Sequence, residues 1–164
     1  MSKEYSEPIA DIAKDFLDKD EWNYRFLEDE GMFRFGLKLE EPSAIIDSVM
    51  DIGNIFIMNY TWLRDMTADP GDEEMLKEME EFVCKINFGM HNGCFEFDPV
   101  TGDIRFRSFI DCEETLPSSS VIKNAVYVSF SMMRKYTPGI LGILTKEMDA
   151  EEAFNICEAE RDFR

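Results

Sequence analysis

Apolar residues first recur at helical spacing, at Ile9, Ile12, Ala13, Phe16 and Leu17 behind Pro8, which predicts a helix running to about Asp20 with Ser6 or Glu7 as its cap. The period then shortens to two. Trp22, Tyr24 and Phe26 precede a turn at Asp29-Glu30-Gly31, after which Phe33, Phe35, Leu37 and Leu39 alternate with Arg34, Gly36, Lys38 and Glu40, the pattern of a β-hairpin. Past Pro42 and Ser43, extended runs over 44–50 and 55–63 flank Asp51-Ile52-Gly53-Asn54, whose Gly-Asn suits a tight reversal. A four-stranded meander results. Ile55, Phe56, Ile57 and Met58 are apolar at every position, so this strand is expected to present hydrophobic side chains to both faces of the sheet.

Asp69-Pro70 has the cap-then-proline order of a helix start, and Met75, Leu76, Met79, Phe82, Val83 and Ile86 give the second helix one apolar stripe. Its outer face is acidic, with Glu73/Lys77 and Glu81/Lys85 as i,i+4 pairs. After Asn92-Gly93, Phe95 and Phe97 alternate with Glu96 and Asp98 up to a turn at 98–102, and a return strand carries Ile104, Phe106 and Ile110. Arg105 and Arg107 share the other side of that strand with Phe109, placed to face Glu96 and Asp98 across the hairpin. Pro117 and Ser118 to Ser120 start a third helix bearing Val121, Ile122, Ala125, Val126, Val128, Phe130, Met133 and Tyr136. Pro138-Gly139 is expected to break or bend it ahead of an apolar continuation, Ile140 to Leu144. Asp149-Ala150-Glu151-Glu152 has the form of a capping box opening a last acidic helix to about Arg161. The fold class is therefore α+β, an antiparallel sheet of meander plus hairpin with helices, in the order α-β-β-β-β-α-β-β-α(-α). Residues 1–164 are expected to form one domain, with 149–164 as an acidic helical extension.

Charge narrows the partners. The 35 Asp and Glu against 17 Lys and Arg leave a formal net charge of -18, which opposes phosphate backbones and anionic membranes and favours basic partners. An acidic mimic of nucleic acid is one alternative consistent with that balance. No apolar run approaches the roughly 18 residues of a membrane span, and the polar segment from Met1 to Glu7 reads as lacking an export signal. A cytoplasmic location is expected, with Cys84, Cys94, Cys112 and Cys157 as reduced thiols.

Local signatures of chemistry are missing. There is no G-x-G-x-x-G, no G-x-x-x-x-G-K-[ST] and no G-x-S-x-G. Cys84, His91, Cys94 and Cys112 include a C-x6-H-x2-C spacing that matches no common zinc site, so neither metal nor cofactor is expected. His91 is the only histidine, with Cys94 the nearest thiol, and a small cysteine-dependent enzyme built on this pair is the other alternative. With no third residue to orient the pair, a non-enzymatic protein-binding domain is the preferred reading. The 14 Phe and 11 Met suit an apolar face that repacks around a partner, and Ile55, Phe56, Ile57, Met58 and Phe109 are the expected partner-binding residues.

The element order, together with Ile86 to Phe97, resembles the YbjN family, described as bacterial sensory-transduction regulators. That family has a helix ending near an Asn, a turn into a G-x-F-x-[LF]-D strand and a G-x-[IV]-R return, matched here by Asn87, Gly93, Phe95, Phe97, Asp98, Gly102, Ile104 and Arg105. The resemblance covers roughly Glu21 to Leu144 and departs from the family in the acidic segment Asp149 to Arg164. It implies a fold similar to type III secretion chaperones, small acidic proteins that dimerise and hold segments of other polypeptides. It carries over no catalytic residue, and it implies a homodimer with a protein partner; on the charge, neither nucleic acid nor a membrane is expected as a partner.

Overall fold

A computed structural model describes residues 4–159. Its elements are α1 (Glu7–Lys19), β1 (Tyr24–Leu27), a short 3-10 turn, β2 (Met32–Leu39), β3 (Ala44–Ile52), β4 (Phe56–Leu63), α2 (Glu73–Asn87), β5 (Cys94–Asp98), β6 (Asp103–Asp111), α3 (Ser119–Leu144) and α4 (Ala150–Ala159). The strands form one antiparallel sheet in the order β1-β2-β3-β4-β6-β5. This is the α+β class, and the order of elements, that the alternating and helical periods predict.

Side-chain parity divides the sheet into two faces. On one, Phe33, Ile46, Met50, Ile57, Phe95 and Phe106 are almost wholly buried, and α3 crosses over β4 and β6 while α2 lies on β5. The helices α1 and α4 pack against α3 and complete a single helical layer. Among the described residues no helix lies over the opposite face, and the burial pattern along β3 and β4 alternates fully buried with half-buried at every step. A two-layer sandwich of this kind satisfies one face of the sheet and leaves the other to solvent or a partner.

The middle of the core is polar. Asn59 of β4, 2% exposed, hydrogen-bonds Ser129 of α3 at 3.0 Å and Thr61 at 3.3 Å, and accepts from Ser48 at 3.2 Å. Ser129 also meets Ser108 of β6 at 3.3 Å and donates to the Ala125 carbonyl at 2.8 Å. The cluster ties α3 to three neighbouring strands, and its buried groups avoid the penalty of unpaired polar atoms. No sequence periodicity signals it, because Ser, Asn and Thr break the apolar parity that marks a core face.

Several expected boundaries move. The cap of α2 is Asp72, whose carboxylate accepts from Met75 N at 3.1 Å, not Asp69. Asp69 folds back onto Gly71 N in a local turn, which places Pro70 outside the helix. Pro138 does not end α3, which runs unbroken to Leu144. The stretch beyond it is held by packing, since a Cβ at Gly139 would collide with Phe82, Cys157 and Ala153, and one at Gly142 with Met148. Tight helix contacts here outweigh the lost backbone donor. Trp22 precedes β1, and Ile55 lies in the β3–β4 turn rather than in a strand. The capping box opening α4 forms as predicted, with Glu152 N on Asp149 at 2.8 Å and Asp149 N on Glu152 at 3.1 Å. The expected course of that helix to Arg161, and the extension to 164, lie partly outside the described residues. Among the described residues no helix is long and apolar enough to cross a membrane.

Candidate functional site

The register assembles the helix-free face from the strands upward. Val49 stands opposite Tyr60, Tyr60 opposite Arg107, and Arg107 opposite Cys94; one step along, Asp51, Met58 and Phe109 form the next row. Phe56 stacks on Phe109 with ring centroids 6.0 Å apart, and the Arg105 guanidinium lies over the Tyr60 ring at 4.3 Å. The result is an aromatic and methionine band across β4 and β6, only partly shielded by its own members. Beside it, Tyr60, Trp62, Met66, Phe97 and Arg105 line a broad open hollow of about 970 Å³.

Charge on this face is organised by Glu96. Its two carboxylate oxygens accept from Arg107 at 2.6 Å and Arg105 at 2.7 Å. Burial pushes the Glu96 carboxyl up, but the two guanidiniums outweigh it and hold the group below the usual carboxylate range. Glu96 takes both arginines, while Asp98, expected to share them, instead accepts from Val100 N in the hairpin turn. Arg64 makes a two-point contact with Asp47 at 2.6 and 2.7 Å. Acidic and basic groups thus alternate with apolar ones across this face.

One edge of the sheet is closed by a side chain. The Asn87 amide at the end of α2 donates to Phe95 O and accepts from Phe95 N, each at 2.8 Å, pairing with the outer edge of β5 as another strand would. This blunts an edge that otherwise invites strand addition.

The expected partner-binding residues separate. Phe56, Met58 and Phe109 do lie on the open face, with Phe109 52% exposed. Ile57 does not: it points into the core at 1% exposure, because alternate residues of a strand face opposite ways. Ile55 is 47% exposed, but from the turn. A strand apolar on both faces was therefore a strand with one core residue and two outward ones. Tyr60, Trp62 and Glu96 were missed as members of the face, although counting by twos from Met58 reaches Tyr60 and Trp62.

Cys94 and His91 are not brought together. Cys94 sits on the open face, where Arg107 Nη2 approaches its sulfur at 3.7 Å. His91 is exposed on the helix side and lines a separate hollow with Met90, Met132 and Phe154. Cys84 is exposed on α2 and Cys112 is buried after β6, where burial raises its thiol pKa. Among the described residues no group of three or more Cys, His, Asp and Glu is placed to hold a metal ion. Compared with known protein families, curated proteins and solved structures, the chain matches none.

Proposed function

We propose that this chain is a non-enzymatic, cytoplasmic polypeptide-binding domain of the YbjN kind, chaperone-like or regulatory, that works as a homodimer through the open face of its sheet. One observation carries the reading: every described helix lies on one side of the sheet, while Phe56, Met58, Tyr60, Trp62 and Phe109 are contiguous on the other. Soluble monomers rarely leave an apolar patch of more than a few hundred Å² uncovered. A two-fold contact suits such a face, since the same patch then serves both copies. Charge pairs around the band supply a polar rim that fixes orientation more than affinity.

Light scattering on a size-exclusion column at micromolar concentration tests this. The expected mass is twice the 19.1 kDa of one chain, falling to one chain when Met58 and Phe109 are both replaced by Glu. A wild-type monomer that binds no hydrophobic dye overturns the proposal.

A further inference from the structure

A second surface lies away from the aromatic band, where β1 fails to cover β2. The pairing of β1 with β2 stops at Tyr24 opposite Phe35, four residues before β2 ends at Leu39. Ile52 N donates to Gly31 O, so odd-numbered residues of β2 direct their backbone groups to β3, and even-numbered ones direct theirs to the β1 side. Lys38 therefore presents both its N–H and its C=O on an open edge, with no strand beyond it among the described residues. Such a row of groups is a template for one more strand.

Both sides of this notch are shaped to receive side chains. On the helix side, Trp22, Leu37, Leu39, Tyr127 and Phe130 line an apolar hollow of about 180 Å³. The indole N–H of Trp22, buried against it, has no acceptor among the described residues. On the open side, a groove of about 650 Å³ runs past Arg34, Gly36 and Lys38; at Gly36, between the two cations, the β3 backbone and the Asp47 carboxylate, itself held by Arg64, fill the space a side chain would take.

Among the described residues, the cations around this notch lack counter-ions. Arg25 and Arg34 stand directly opposite each other on neighbouring strands, both exposed. Like charges in that position are destabilising. Neither they nor Lys38 nor Arg134 forms an ion pair with a described carboxylate, and the same holds for Lys14, Lys19 and Lys77 on the helices, whereas Arg64, Lys85, Arg105, Arg107, Lys123, Lys135 and Lys146 all do. In a chain of net charge -18, a group of unneutralised cations around one open strand edge is a feature that an anionic ligand would complete.

We infer that the uncovered end of β2 binds an extended acidic segment of another polypeptide as an added strand. Its acidic side chains lie toward Lys38 and Arg34 on the open face, and its apolar side chains alternate with them into the Trp22–Leu37 hollow. This rests on the reading of the chain as a polypeptide-binding domain, and it adds the site and the chemistry of the bound segment. The chain's overall negative charge repels such a ligand at long range. At about 0.15 M salt, where screening acts beyond roughly 8 Å, that repulsion is small and the local contacts remain.

The test uses fluorescence polarisation of a labelled hexapeptide alternating valine and glutamate, with a valine–lysine peptide as control, on the full chain. Binding of the glutamate peptide is expected, with the lysine peptide at least tenfold weaker. Arg34→Glu should weaken the glutamate peptide tenfold or more while leaving the fold intact, since it replaces a repulsive cross-strand pair with an attractive one. Lys38→Pro should do the same by removing the edge donor, which the β2–β3 ladder does not use. Equal binding of both peptides, no binding of either, or an affinity unmoved by Arg34→Glu overturns the inference. So does a result in which these variants dissociate a dimer instead, which would assign the edge to a second copy. A wild-type dimer that binds no glutamate peptide sinks this inference alone, and a wild-type monomer that does bind it sinks only the homodimer.

Discussion

Replacing Ser129 by Ala tests how the core is held together, because one small oxygen there serves several partners. Ser129 is fully buried and accepts from Asn59 Nδ2 at 3.0 Å, and it is the hydroxyl that Ser108, 2% exposed, meets at 3.3 Å. Ser129→Ala leaves one amide N–H and one hydroxyl without partners. At about 1–3 kcal/mol for each orphaned buried group, the loss is about 2–6 kcal/mol. Asn59→Leu removes a whole amide yet orphans nothing. Ser48 keeps the Tyr60 carbonyl at 3.1 Å, Thr61 keeps Ser48 at 3.1 Å, and Ser129 keeps Ala125 at 2.8 Å. With a side chain of similar size in its place, that variant should lose about 1 kcal/mol or less. In the double variant the orphaned amide no longer exists, so its destabilisation should fall short of the sum of the singles by about 1 kcal/mol or more. Urea unfolding with an unchanged slope reads all three values, and at this chain length each kcal/mol moves the thermal midpoint by about 2–4 °C. A cycle that adds to within a few tenths of a kcal/mol, or a Ser129→Ala change milder than Asn59→Leu, refutes the account of the cluster as a coupled network.

Two further outcomes follow from the open face and its edge. Glu96 is held below the ordinary carboxylate range in the folded protein, so its contribution to stability is present above an unfolded pKa of about 4.3 and is lost as pH falls through the folded value. Glu96→Gln should therefore lower the urea midpoint at pH 7 and narrow its gap to the wild type by pH 3; a gap equal at both pH values contradicts the two-arginine clasp. Asn87→Leu removes both bonds that close the β5 edge at Phe95. Amide exchange at Phe95 should then rise by about tenfold or more, given roughly 1 kcal/mol per bond, with a greater tendency to self-associate. Unaltered exchange would mean that other groups close the edge.

Sequence periodicity alone determined the α+β class, the order of elements and the capping box at Asp149, because these depend on local spacing and on contacts within a few residues. Only the tertiary structure decided which side of each strand the helices cover. The apolar run from Ile55 to Met58 has no alternation from which to read a face, so Ile57 turned inward and Ile55 into a turn without local warning. Asn59, Thr61, Ser108 and Ser129 look like solvent-facing residues until distant segments supply their hydrogen-bond partners. Likewise, Pro138 reads as a helix end by its own chemistry and is carried through by Gly139 packing on α2 and α4 and Gly142 packing on Met148. The open edge at Lys38 exists because β1 is shorter than β2, a difference visible only once the two strands are paired. Local patterns record what a residue needs from its neighbours in the chain, whereas covered faces, shared hydroxyls and unpaired edges depend on which remote segments arrive beside it.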